Sequence, residues 1–229
     1  MRFLLAGERA AGYNRRVMGA HPPHSRHQCL IYEGSSSRHL GALSNIVREK
    51  LQQNYQCLIL NSPPMNAGLR SYLAAADIDV AEEIGKGSLA LSSDQRHLVE
   101  GAFEIDRMMH TLEDALEQAL YDGYEGLWAC GDMTWEMGPE KDFSKLLEYE
   151  QRLEEFLGVH PEMSGICQYH SDTMPREALR DGMLSHRSIF VNETLSMINP
   201  YYSHSSGEKA RVSEIDLAVL RLCESGAAD

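Results

Sequence analysis

Three observations predict an α/β fold built on one predominantly parallel sheet with helices on both faces. Short apolar runs alternate with amphipathic helical stretches, the order that produces strand, helix, strand units with right-handed crossovers. Leu127 to Cys130 is apolar without alternation and is entered and left through Gly126 and Gly131, which suits a strand buried on both faces. The 229 residues, 43% hydrophobic and 24% charged, suffice for one large domain whose core needs neither a disulfide nor a structural metal.

Taken in order, the prolines between His21 and His27 hold an extended lead into the first strand, Cys29 to Tyr32, and Glu33 to Arg38 turns the chain. Apolar residues then recur at Leu40, Leu43, Ile46, Val47 and Leu51, one face of a helix. Cys57 to Leu60 is the second strand. Met65, Leu69, Tyr72, Leu73 and Ala76 mark a second helix after Pro63 and Pro64. Val80 to Ile84 reads as a short strand, and Leu89 to Leu91 as another. A long helix over Ile105, Met108, Met109, Leu112, Leu116 and Leu120 delivers the chain to the central strand. Phe143, Leu146, Leu147, Leu153 and Leu157 set the phase of the next helix, and Ile166 to Tyr169 is the next strand. A shorter helix near Glu177 to Leu184 precedes an edge strand at Ser188 to Val191.

The formal charge of −13, from 34 acidic against 21 basic residues, argues against a general nucleic-acid binder, because phosphate affinity rests mostly on Lys and Arg. Residues 1–26 reverse the balance locally, with Arg2, Arg9, Arg15, Arg16 and Arg26 against Glu8, and read as a flexible arm. They are too short and too poorly patterned for a helix-turn-helix module, so direct DNA binding by this chain is not expected. Cys29, Cys57, Cys130, Cys167 and Cys223 form no Cys-x-x-Cys pair; an odd count lying mostly in apolar runs fits reduced core cysteines. No run approaches the roughly 18 apolar residues of a membrane span, and Met1 to Ala6 is short for a signal peptide, which predicts a cytoplasmic protein.

Polar chemistry collects where strands end. In an open α/β sheet ligands gather outside the carboxyl ends of the strands, which places Asp132, Thr134 and Trp135 beside a binding crevice, and His170 to Asp172 after the later strand. The first strand-to-helix turn, Glu33 to Gly41, has one early glycine and no Gly-Lys-Ser/Thr, so P-loop ATP hydrolysis is not expected. Helix phase puts Glu150 on the face that should be buried. Either it rims the core and reaches solvent, or it is a buried carboxylate with a partner and hence a ligand-site candidate. His27 and Cys29, two apart on a strand, share a face and offer metal-ligand chemistry if Cys167, His170 or His186 join them, with His21 and His24 upstream. A packed cysteine beside a hydrogen-bonded histidine is the plainer alternative. Cys167 and Tyr169 face one way, Ile166 and Gln168 the other. Trp135, Tyr201 and Tyr202 are either pocket walls or core. No nucleophile elbow, His-Glu-x-x-His or dinucleotide fingerprint is present, and no enzyme activity is predicted.

The ordered set His27-Gln-Cys-Leu-Ile-Tyr-Glu33, Gly131-Asp-Met-Thr-Trp135, Leu147-Glu-Tyr-Glu150, Ile166-Cys-Gln-Tyr169, His186 and Asn199-Pro-Tyr-Tyr202 resembles the MEDS domain, the methanogen/methylotroph sensory domain. The resemblance implies a RecA/KaiC-like fold with a degenerate P-loop. It also implies a sensory domain over residues 27–202, between the arm of 1–26 and a tail or helix over 203–229. It marks His27, Cys29, Tyr32, Asp132, Trp135, Glu150, Cys167, Tyr169 and His186 as ligand-binding positions. The expected function is sensing of a small organic ligand, a simple hydrocarbon derivative by resemblance, in signal transduction or transcription regulation. The signal would pass to a partner protein such as a kinase, an anti-sigma-type factor or a transcription regulator, and a homodimer is compatible with this. Two rival readings are a degenerate RecA-like nucleotide-binding protein or ATPase using Asp132, and a metal- or cofactor-binding regulatory protein. The residues name neither ligand nor cofactor.

Overall fold

Strand β1 (His27–Tyr32) is followed by α1 (Ser37–Gln52), β2 (Tyr55–Leu60) and α2 (Pro63–Ala75) in a computed structural model that describes residues 26–35, 37–191 and 195–198. The arm other than Arg26, and the tail, lie outside the described residues, as do His21, His24, Tyr201, Tyr202 and Cys223. The chain continues through α3 (Val80–Lys86), β3 (Leu89–Ser92), β4 (Leu98–Val99), β5 (Ala102–Phe103) and α4 (Ile105–Tyr121). Then come β6 (Gly126–Asp132), α5 (Met133–Glu136), α6 (Leu146–Val159), β7 (Met163–His170), α7 (Arg176–Ser185), β8 (Ser188–Val191) and β9 (Leu195–Ile198). The main sheet has the order β3-β2-β6-β7-β1-β8-β9, with every pairing parallel except β8 with β9.

Both faces are covered, as the unalternating apolar strands require. On one face Leu30, Cys57, Ile59, Trp128, Cys130 and Ile166 meet the apolar stripes of α1, α2 and α3. On the other, Cys29, Ile31, Leu127, Met163, Cys167 and Tyr169 meet α4, α6 and α7. The alternation of Cys167 and Tyr169 against Ile166 and Gln168 is therefore as the sequence reads. Cys29, Cys57, Cys130 and Cys167 are free and buried. Among the described residues, no helix is long and apolar enough to cross a membrane.

Two elements differ from the sequence reading. Val80 to Ile84 is helical rather than extended: the Asp79 side chain accepts from the Glu82 amide at 2.9 Å, Glu82 and Glu83 sit in the first turn, and Gly87 closes the helix with φ of 79°. Capping at both ends outweighs the apolar pattern of so short a segment. Ser188 to Val191 is an interior strand, because β9 adds to its outer side. A hairpin unseen in the sequence joins β4 to β5 through Glu100 and Gly101, both at positive φ, as a two-residue turn needs.

Candidate functional site

The parallel register sets Cys29 beside Cys167 and His27 beside Gly165, so the start of β1 and the middle of β7 present side chains to α6 and α7. Glu150 projects from the buried stripe of α6 between Leu146 and Leu153, and its exposure is 0%. That decides the question the helix phase left open. Its Oε2 is a common point: His27 Nε2 lies 3.0 Å away, His186 Nε2 3.5 Å and Cys167 Sγ 3.6 Å. Cys167 Sγ is also 3.6 Å from His27 Nε2. The other carboxylate oxygen, Oε1, accepts from the Tyr169 hydroxyl. That ring reaches it because α7 carries Gly182 where a Cβ would stand 2.5 Å from Tyr169 Cε1.

Each histidine is oriented from behind. His27 Nδ1 is 3.1 Å from Glu154 Oε2, and His186 Nδ1 lies 2.6 Å from the Gly182 carbonyl. A carbonyl can only accept, so His186 Nδ1 carries the proton and Nε2 faces Glu150 with its lone pair when the ring is neutral. Burial works against charge on His27, but hydrogen bonds and charge from Glu150 and Glu154 more than offset it and raise its pKa above the ordinary 6.5. Burial would raise the Glu150 pKa; the two histidines and the Tyr169 hydroxyl bring it below the usual carboxylate value. His186 falls to about 4 through burial and the neighbouring His27. Burial and the Glu150 charge push the Cys167 thiol and the Tyr169 phenol well up. His27 is thus paired with two carboxylates, Glu150 inside the cluster and Glu154 at its edge. His27, Glu150, Cys167 and His186 each offer a ligand atom, all within 4.8 Å of one another, close enough that they could hold a metal ion. Cys29 lies on the same face but outside that set.

A small cavity of about 30 Å³ adjoins the cluster, lined by His27, Ala129, Gly131, Glu136, Gly165 and Cys167 among others. Glu136 is 1% exposed with His97 Nε2 3.3 Å from its Oε2, and burial followed by the Asp132 charge raises its pKa well above the usual carboxylate value.

The carboxyl ends of the strands carry a separate polar network on the opposite face. Gln168 accepts from His39 Nε2 at 2.8 Å and donates to Asn61 Oδ1 at 2.9 Å. The Tyr32 ring lies between those of His39 and His170, with centroids 4.1 and 4.7 Å away. In the turn after β1, the Gly34 amide donates to Asp172 Oδ2 at 2.8 Å and its carbonyl accepts from His170 Nε2 at 3.0 Å. Asp132 ends β6 and caps α5, accepting from the Thr134 amide at 3.0 Å. Half-buried Trp135 stands in α5, and its carbonyl accepts from the Gln95 side-chain Nε2.

Residues 26–187 match the model of the family described as MEDS, the MEthanogen/methylotroph, DcmR Sensory domain. The chain belongs to the MEDS family. It is 25% identical over 175 residues to the transcriptional repressor DcmR of Methylorubrum extorquens, a match covering 76% of this chain and 63% of that protein. The chain thus spans less than two thirds of the repressor's length. A KaiC-like protein from Pyrococcus horikoshii, PH0186, superposes with a TM-score of 0.50 at 12% identity, covering 73% of this chain and 71% of the other. That likeness shows the fold, RecA/KaiC-like α/β.

Within this MEDS domain the nine sequence-predicted positions divide. His27, Cys29, Glu150, Cys167, Tyr169 and His186 converge between the sheet and α6 and α7. Tyr32 and Asp132 stand at the carboxyl ends with His170, and Trp135 follows them in α5. Sequence reasoning missed Glu154, Glu136, His39, Gln168 and Asn61. His39 and Glu136 were findable: His39 precedes Leu43 and Val47 at helical spacing, and Glu136 shares the Met133 and Met137 face, the phase argument that exposed Glu150.

Proposed function

We infer that this chain is the sensory part of a prokaryotic regulatory system, binding a small organic ligand and relaying its presence to a partner protein. The observation that carries the reading is the small cavity beside the buried cluster, inside a domain of a sensory family. A volume of about 30 Å³ has room for roughly two waters or a ligand of similar size, since one water needs about 10–15 Å³ on this measure. Its wall is largely apolar, with the His27 imidazole, the Cys167 thiol and the Glu136 acid as polar contacts, which suits a simple hydrocarbon derivative carrying one polar group or halogen. Ala129, Gly131 and Gly165 leave the space open; a Cβ on Gly165 would lie 2.5 Å from the Ala129 carbonyl oxygen.

Relay requires that the ligand favour one conformation of the domain over another. The repressor relative supports transcription regulation as the output, with the sensory unit taken as residues 27–202. The nucleotide reading draws no support from the turn after β1: the Gly34 amide, where a P-loop would meet phosphate, is occupied by the protein's own Asp172 carboxylate.

The test is a thermal-shift screen of one-carbon halogenated and oxygenated compounds against the wild type and Ala129→Val, whose added methyls fill the cavity. A ligand present at 100 times its Kd stabilises the wild type by about 2.7 kcal/mol. Loss of that shift in Ala129→Val supports the reading. An equal shift in both proteins, or none from any compound, overturns the cavity as the sensing site.

A further inference from the structure

We propose that His27, Glu150, Cys167 and His186 bind a divalent transition-metal ion of zinc's class, held in the interior between β1, β7, α6 and α7. The site shares His27 and Cys167 with the cavity wall, but its argument rests on the four side chains and not on the cavity's occupant.

The spacing is the first argument. Ligand atoms about 2.0–2.3 Å from a tetrahedral ion stand roughly 3.3–3.7 Å from one another. Four of the six separations are near that range, 3.0 Å for His27 to Glu150, 3.5 Å for His186 to Glu150, and 3.6 Å from Cys167 to both Glu150 and His27, and the two between His186 and His27 or Cys167 lie within 4.8 Å. Small rotations of side chains would admit an ion without moving the backbone.

Orientation is the second. Metal-bound histidines characteristically donate their other nitrogen to a carboxylate or carbonyl, and bound carboxylates are themselves hydrogen-bonded. All three features are present: Glu154 behind His27, the Gly182 carbonyl behind His186, and the Tyr169 hydroxyl on the Glu150 oxygen that points away from the cluster. An interior assembled only to satisfy the His27 charge has no need for a second buried imidazole directed at the same oxygen, its other nitrogen held by a backbone carbonyl.

Charge is the third. One carboxylate, one thiolate and two neutral imidazoles sum to −2, which a divalent ion neutralises, and all four groups are buried. Mixed nitrogen, sulfur and oxygen donors in a four-coordinate cage select zinc's class over calcium or magnesium, which take oxygen ligands in greater number. Four protein ligands make a closed site, whose ion holds elements together and lies next to the cavity without giving it a coordination position.

The experiment uses the full chain, purified without chelator and with any polyhistidine tag removed. Elemental analysis is expected to find about one zinc-class ion per chain. After stripping, titration with Co²⁺ is expected to give one equivalent of uptake with a thiolate-to-cobalt charge-transfer band in the near ultraviolet. Cys167→Ser should abolish that band, His186→Ala should weaken uptake at least tenfold, and Cys29→Ser should leave both unchanged. Failure of the wild type to take up Co²⁺ or Zn²⁺ overturns the proposal without reference to any variant. So does a band that survives Cys167→Ser, or one that follows Cys29→Ser, each in protein whose circular dichroism matches the wild type. Sensing is judged separately by the cavity screen, so either result can fail alone.

Discussion

The two polar regions of the sheet are built from similar residue types and solve burial in opposite ways. At the carboxyl ends, His39, Gln168 and Asn61 are joined through neutral amide and imidazole contacts, and the Gly34 amide is met by Asp172 at the surface. Under α6 and α7, three side chains, from β1, β7 and the turn between α7 and β8, converge on a single carboxylate oxygen of α6. Neutral networks hold neighbouring strands and helices in register. Convergent charged and ligating groups are costly to bury unless something is bound there. The RecA-like fold usually places its chemistry at the carboxyl ends, yet here the richer constellation has moved beneath the sheet.

The sharpest way to break this contrast is Glu150→Gln. It keeps the shape of α6 and one acceptor oxygen while removing the negative charge that His27 faces at 3.0 Å, and removing one partner of a buried pair costs about 3–5 kcal/mol. Urea denaturation of the wild type and the variant at pH 7 measures it. A loss below about 1 kcal/mol would mean that the cluster carries little of the fold's electrostatic energy.

Next in size is Gln168→Leu, which removes the centre of the neutral network. The His39 N–H loses its acceptor, at about 1–3 kcal/mol for a buried donor left unsatisfied, while Asn61 Oδ1, an acceptor, loses one donor. The same denaturation series should rank it below Glu150→Gln, and a reversed order would refute the division between the two regions.

How far the sequence exposed these regions follows from the physics of each. Strands and most helices were legible because burial on both faces writes continuous apolar runs and broad helical stripes, and Glu150 stood out as a carboxylate in such a stripe. Val80 to Ile84 misled because five residues give too little periodicity to separate strand from helix, and the decision lay in the Asp79 and Gly87 caps. The interior place of β8 depended on β9, a pairing that local pattern does not encode. Within the site, His27 and Cys29 were readable as a shared face. Which distant groups join them depends on the β1 to β7 register and on the entry of α7 into β8, so that His186 arrives at the cluster while His170, also considered from sequence, ends beside Gly34.

The smallest expected effect separates the regions by pH. His39 is 1% exposed, and its pKa falls from 6.5 to about 4, through burial, with the Gln168 bond opposing and His170 adding to the shift. The unfolded chain therefore binds this proton more tightly than the folded one. The contribution of neutral His39 is complete above pH 6.5, declines as pH falls, and levels off below about 4. Between pH 7 and pH 5 the wild type should lose about 1–2 kcal/mol more stability than His39→Gln, which cannot take up the proton. Denaturation midpoints of the two proteins at both pH values test this, with all other titrating groups common to the pair. Parallel losses would show that His39 becomes charged without unfolding cost, and that the carboxyl-end network is open to water rather than the sealed neutral counterpart of the cluster below.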